Sequence, residues 1–410
     1  MKTSHSNSTV ARQPILDREL NTYAYELLYR GDILLVDNTS QSSEMGDLAT
    51  NQVINSAFMD IGIEKIVGNH LAFINMTRGL LVKGDPLPFA HNQVVLEILE
   101  DIAADTEVIH AVEKLVSQGY KIALDDFIFD ESLWPLIKLA DIIKIDILAL
   151  SSEELIEHVT LLKNENIQLL AEKVETQQQY EQCKTLGFDY FQGYFFSKPA
   201  LVKDTPLPGS QLNLLKLIGL LQNPDIDIDE VEEQISHDVN LSFKLLKLLN
   251  SAAFALPKKI ESIKQGLVIL GFKAIKYWAT LIALNSMRHS PPELMTMTLT
   301  RAKMCSDLAS HFNSDADTGF TVGLFSTLET MLSHPMAKLL EELPFTDAIK
   351  YALLNKEGEL GEMLKIVILY EQGLWDDIST SSINTKQLKE AYLNATQWTL
   401  EFQSSLSSYD

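Results

Sequence analysis

The chain has 410 residues, of which 46% are hydrophobic and 22% charged, too apolar for a disordered polymer and too long for a single small module. Lys and Arg total 33 against 56 Asp and Glu, a formal net charge of -23 with both halves acidic, which excludes a DNA or RNA binder working through a basic face. Cys183 and Cys305 are the only cysteines, Met1 to Val10 lack the apolar core of a signal peptide, and no stretch approaches the ~20 apolar residues of a membrane helix. A cytoplasmic protein without a membrane partner is expected.

From residue 10 to about 197, short apolar runs of strand type alternate with helical patterns. Eight strands are expected, near 10–15, 24–30, 71–76, 94–99, 121–127, 142–146, 167–174 and 189–197. Only Leu16 to Tyr23 separate the first two. That is too short for a parallel crossover, so the pair must be antiparallel. Helical patterns at Val108–Gly119, Glu153–Asn164 and Gln177–Gly187 join later strands, and the sum is an α/β fold: a (β/α)8 TIM-like barrel with one reversed strand. The alternative, an open doubly wound sheet holding a dinucleotide, requires a G-x-G-x-x-G fingerprint that the chain lacks.

The stretch KPALVKDTPLPGSQ (198–211) reads as punctuation. Beyond it, residues 211–222, 229–250, 263–288, 293–312, 318–342 and 345–372 carry apolar residues at helical spacing, followed by a polar C-terminal segment. The expected organisation is a barrel over 8–200, a linker over 201–211 and an all-α domain over 212–400.

In such barrels the chemistry lies at the C-terminal ends of the strands. Here those ends present Glu26, Asn75, Glu97, Asp125 with Asp126, Lys144 with Asp146, Glu172 with Glu175, and Gln192. Hard oxygen donors from several strands suit Mg2+ or Mn2+, and a shared carboxylate such as Asp125 would bridge two ions for phosphoester hydrolysis. Taken singly, each carboxylate reads as a rim residue or helix cap, and Glu172 and Glu175 as a charge cluster around Lys173. Asp125-Asp126 is the sharpest element, because adjacent carboxylates closing a buried strand repel each other without a cation. Lys144, inside the apolar run ADIIKIDIL, needs a partner.

The motifs QPI (13–15), YELLYR (25–30), INM (74–76), LEILE (96–100), ALDDF (123–127), IKID (143–146), AEKVET (171–176) and FQGYFFSKP (191–199) resemble the EAL family of bacterial cyclic-di-GMP phosphodiesterases. The resemblance implies a modified barrel with an antiparallel first strand and hydrolysis of cyclic-di-GMP to linear pGpG at two Mg2+ or Mn2+ ions. It implies metal ligation by Glu26, Asn75, Glu97, Asp125, Asp126 and Glu172. Glu172 is also the implied general base, and Lys144 the residue orienting the water. Substrate contacts are implied for Gln13, Arg30 and Gln192, and supporting roles for Glu100 and Glu175. Two departures stand out. Ile128 to Leu133 replace a glycine-containing loop that organises the metals and the dimer, and Leu99 replaces the Thr of the family's Glu-x-Thr-Glu. They fit an alternative in which the barrel is a receptor or adaptor without turnover. A metal-dependent barrel lyase using Lys144 as base is a third reading, disfavoured by QGYFFSKP.

The stretch DVNLSFKLLKLLNSAAFALPKKIESIKQGLVILG (238–271) is similar to HDOD domains, all-α relatives of the HD phosphohydrolases. The resemblance implies a noncatalytic regulatory domain that engages a protein partner. The single His-Asp pair, His237-Asp238, precedes a helix and reads as an N-cap. A homodimer is compatible with this organisation.

Overall fold

The computed structural model describes residues 9–30, 62–163, 165–197, 209–222, 226–250, 259–285, 291–378 and 383–407. The linker expected at 201–211 therefore lies mostly outside the described residues, as does the side chain of Arg30. The chain divides into two compact units. One comprises Met1–Lys198 with Ile368–Thr396, the other Pro199–Val367 with Gln397–Asp410. The division is thus not linear, in contrast to the boundaries read from the sequence. No helix among the described residues is long and apolar enough to cross a membrane.

The first unit holds a closed barrel of eight strands in sequential order. They are β1 (Thr9–Leu16), β2 (Thr22–Arg30), β3 (Leu71–Met76), β4 (Val94–Ile98), β5 (Lys121–Leu124), β6 (Ile142–Asp146), β7 (Gln168–Glu172) and β8 (Tyr190–Gln192). β1 is antiparallel to β2 and β8, and every other neighbouring pair is parallel. The reversal is made by the turn at Asp17, whose Oδ1 accepts hydrogen bonds from the backbone of Glu19 at 2.9 Å and Asn21 at 2.8 Å. Helices at Thr106–Ser117, Ser152–Leu162 and Gln177–Leu186 occupy the expected crossovers. Each starts on a capping side chain (Asp105, Ser151 or Thr176) that takes up first-turn N–H groups.

Three strands end at least two residues sooner than the sequence pattern implies. β5 stops at Leu124, β7 at Glu172 and β8 at Gln192. In two of them the backbone turns into the left-handed region just past the end, at Asp126 (φ 39°) and Lys173 (φ 55°). Beyond β8, Gly193 takes φ 145°, which few side chains tolerate.

The barrel interior is a packed core. Ile15, Ala24, Phe73, Val95, Ala123, Ile142, Leu170 and Tyr190 form one buried layer, one residue from each strand. Because side chains alternate between the two faces of a strand, the next inward-facing position lies two residues on. In the seven parallel strands that step leads to Glu26, Asn75, Glu97, Asp125, Lys144, Glu172 and Gln192. In the reversed β1 the step runs backwards, to Gln13. A polar ring thus sits directly on an apolar layer.

The second unit is helical. The expected helix 229–250 is two helices, Ile228–His237 and Val239–Leu249, broken at Asp238, whose side chain accepts from the Leu241 N–H at 3.0 Å as an N-cap. The expected helix 263–288 is likewise two, Ile263–Leu270 and Phe272–Asn285, separated by Gly271. The C-terminal stretch read as a polar cap is largely a helix, Thr385–Ser407. Its buried side includes Leu388, Tyr392, Thr396, Thr399 and Phe402, and the threonines obscure the apolar stripe in the sequence.

A Cβ on Gly193 would lie 2.1 Å from the Val174 carbonyl oxygen and 2.5 Å from its nitrogen, whereas one on Gly62, also at positive φ, meets nothing within 4 Å. Gly193→Ala is therefore expected to cost ~3 kcal/mol and Gly62→Ala about 1 kcal/mol in urea unfolding of the full chain. Equal losses would show that the Val174 approach is not what demands glycine.

Candidate active site

The ring is organised around a single cation. Lys144, fully buried on β6, holds its ammonium 2.6 Å from Asp125 Oδ1, 2.7 Å from Glu97 Oε1, 3.0 Å from Glu172 Oε1 and 3.4 Å from Glu26 Oε2. Gln192 donates from Nε2 to Glu26 Oε2 at 2.6 Å, tying β8 to β2. Asn75 stands beside Glu97 in the parallel β3–β4 register, and Gln13 faces Glu26 across the antiparallel β1–β2 pair. Partners in register project from the same face of the sheet.

Four carboxylates against one ammonium leave a surplus of negative charge in a largely buried space. Burial pushes the Glu97 carboxyl well above its ordinary range, against the pull of Lys144, with Glu26 and Asp125 adding to the rise. Burial likewise pushes Glu172 up to about 8, again against Lys144. Burial alone would strip the proton from Lys144, but the surrounding carboxylates hold its pKa well above that of a free lysine. Without a further cation, the ring keeps its charge down by retaining protons.

Several oxygens are left over. Among the described residues, Asn75 Oδ1, Glu97 Oε2, Glu172 Oε2, Asp126 Oδ1 and Gln192 Oε1 are buried and accept no hydrogen bond. Buried acceptors without donors are costly, and an oxygen-rich set of this kind fits a hard divalent cation. The side chains are nonetheless drawn in on Lys144. Among the described residues no group of three or more His, Cys, Asp or Glu side chains, the ring included, is arranged to hold a metal ion.

The remaining expected site residues fall into two groups. Asp126 is at the rim but not in the ring. Its side chain is 40% exposed against 13% for Asp125, and it lies 3.7 Å from Lys173 Nζ, which also pairs with Asp146. The turn of the backbone into the left-handed region at Asp126, just past the end of β5, accompanies the split. Glu100 and Glu175 are exposed beyond the strand ends; Glu100 borders a cavity of about 250 Å3 that Asp125 and Asp126 also line. Arg30 closes β2, and its side chain lies outside the described residues. Size alone does not mark the site, because the helical unit holds a larger cavity, about 460 Å3, walled by Phe272, Phe320 and Trp398.

Sequence reasoning did not give Lys173 a role. Its positive φ and its position between Asp126 and Asp146 make it a second, outer cation at the rim. The loop that replaces the glycine-containing segment is well anchored. The Phe127 N–H donates to the Lys144 carbonyl at 3.0 Å, the Phe129 N–H to His158 Nε2 at 3.1 Å, and Asp130 accepts from the Ser132 N–H at 2.8 Å.

Family models match in tandem, an EAL domain over residues 45–199 and an HDOD domain over residues 207–351. The uncharacterized protein YuxH of Bacillus subtilis is 35% identical over 404 residues, 95% of this chain and 97% of that protein. The cyclic di-GMP phosphodiesterase CdgJ of Vibrio cholerae is 31% identical over 398 residues, 95% of this chain and 91% of that protein. Among solved structures, the calcium and cyclic-di-GMP complex of Klebsiella pneumoniae BlrP1 is 21% identical with a TM-score of 0.38, covering 49% of this chain and 58% of that one. With two domain models in series and relatives similar from end to end, the chain belongs to the family of tandem EAL–HDOD proteins.

Proposed function

We propose that this protein hydrolyses cyclic-di-GMP to linear pGpG with the help of divalent cations, Mg2+ or Mn2+. The observation that carries the reading is the surplus of buried carboxylate around Lys144 on the rim of an EAL barrel, together with end-to-end similarity to CdgJ, a cyclic di-GMP phosphodiesterase. Glu26, Asn75, Glu97, Asp125 and Glu172 would hold the metal, with Asp126 reaching it from the outer edge. A bound divalent ion would neutralise charge building on the phosphoryl oxygens.

The chain's own groups supply the rest. Glu172, with an oxygen free of donors beside Lys144, would take the proton of an attacking water once a bound cation holds its carboxyl ionised. Lys144 can donate to that water, because it stays protonated among carboxylates. Gln13 and Gln192 flank Glu26 and offer amides to the nucleotide, with Arg30 further along β2 for its phosphate. Glu100 and Glu175 support the loops that border the site. The HDOD unit acts as a noncatalytic regulatory domain toward a protein partner, in keeping with the capping role of Asp238.

A second reading is favoured by the contraction of the carboxylates onto Lys144 and by the anchored loop at 127–132. In it the barrel binds cyclic-di-GMP without cleaving it.

With Mn2+, the full chain is expected to release linear product. Glu172→Gln should lower turnover by about 10^3-fold without loss of folding, as followed by chromatography of the nucleotides and circular dichroism. Ligand binding in Ca2+ with no product in Mn2+ would select the receptor reading. Lys144→Met should destabilise the chelated protein by ~3 kcal/mol or more, because it strands buried carboxylates. Adding Glu97→Gln in that background should restore part of the loss in urea unfolding. An unchanged midpoint for Lys144→Met would show that the charges are not coupled.

A further inference from the structure

The barrel wall is incomplete without residues from the far end of the chain. β8 ends at Gln192 and pairs with β1 only at Ile15 and Leu16, so among the described residues no strand lies beside the edge of β1 from Thr9 to Pro14. Backbone groups on a buried edge need partners. Two of them are met by tyrosine hydroxyls from the Ile368–Thr396 segment of the same compact unit. The Arg12 N–H donates to Tyr392 Oη at 3.1 Å, and Tyr370 Oη donates to the Val10 carbonyl at 3.1 Å. Both tyrosines are buried, with ring centroids 5.1 Å apart. Gly373 of the same segment comes close to Leu28 on β2.

This clamp lies one peptide away from the ring. On the outer face, the Arg12 guanidinium sits 4.2 Å from the centre of the Tyr25 ring and donates to the Ile66 carbonyl. The next residues along the strands, Gln13 and Glu26, face inward and oppose each other in register. Each strand therefore carries a clamped residue outside and a site residue inside. Residues 368–396 fall outside both matched domain models, and so does the whole of β1 and β2.

We propose that Tyr370 and Tyr392 are positioning residues for the Gln13 and Glu26 side of the ring, so that this C-terminal segment is a working part of the EAL barrel wall. The inference rests on the reading of that ring as the phosphodiesterase site. Removing either hydroxyl withdraws a hydrogen bond from this buried edge and loosens the β1–β2 ladder where Glu26 meets Gln192 and Lys144.

The test uses the full chain carrying Tyr370→Phe, Tyr392→Phe or both. Tyr120→Phe, which removes a hydroxyl bonded to the Phe89 carbonyl elsewhere on the barrel, is the control. Amide exchange by NMR or mass spectrometry and turnover of cyclic-di-GMP in Mn2+ are read together. The clamp variants should speed exchange at Gln13 and Glu26 by about tenfold, leave the β5–β7 amides unchanged, and lower kcat by about tenfold, with the control altering neither. The single variants decide the matter if the double variant does not fold. Unchanged exchange at Gln13 and Glu26, or faster exchange with full turnover, would overturn the proposal. A wild-type chain that turns nothing over, but whose clamp variants exchange faster at those two amides, would sink the phosphodiesterase reading and support the clamp.

Discussion

A lysine ammonium buried among four carboxylates is the constraint from which the site follows. Neither partner is stable alone. Lys144 without acid neighbours would shed its proton, and Glu97 and Glu172 without Lys144 would hold theirs more tightly still. The pairing is nevertheless unbalanced, and the imbalance is what gives the ring an appetite for positive charge. Protons meet it in one state. On the proposed reading a divalent ion would meet it in another, with the amide oxygen of Asn75 and the second oxygens of Glu97 and Glu172 as further ligands.

The barrel makes this arrangement possible through a two-residue offset. One layer of side chains, from Ile15 to Tyr190, fills the interior, and the next inward positions stack on it as a ring. Each ring residue is fixed by the same ladder that fixes its core neighbour, so the charges sit on a packed floor and not on mobile loops. Two strained residues lie at the rim. Asp126 and Lys173 hold positive φ angles just where the backbone leaves β5 and β7, and their side chains meet outside the ring.

Much of this could be read from the residues in order. The strand count and seven ring members follow from apolar runs closed by polar residues, the antiparallel start from the short link between the first two strands, and Gln13 from the family resemblance alone. Alternation could not place Asp126, because β5 ends at Leu124 and the backbone at Asp126 is left-handed. Glu100 and Glu175 carry no strand periodicity to place them, and the structure leaves both exposed beyond the strand ends. The helix at Thr385–Ser407 was hidden because Thr396 and Thr399 occupy buried positions that a hydropathy pattern scores as polar. The bond between Arg12 and Tyr392 spans 380 residues, and nothing local in either segment announces it.

The most direct test of the central claim is to locate Mn2+ by anomalous diffraction in crystals of the full chain grown with the ion. The account predicts a strong peak bounded by Glu26, Asn75, Glu97, Asp125 and Glu172, with the carboxylates opened away from Lys144. A ring that keeps its contacts to Lys144 in saturating Mn2+, with no peak among those oxygens, would contradict it.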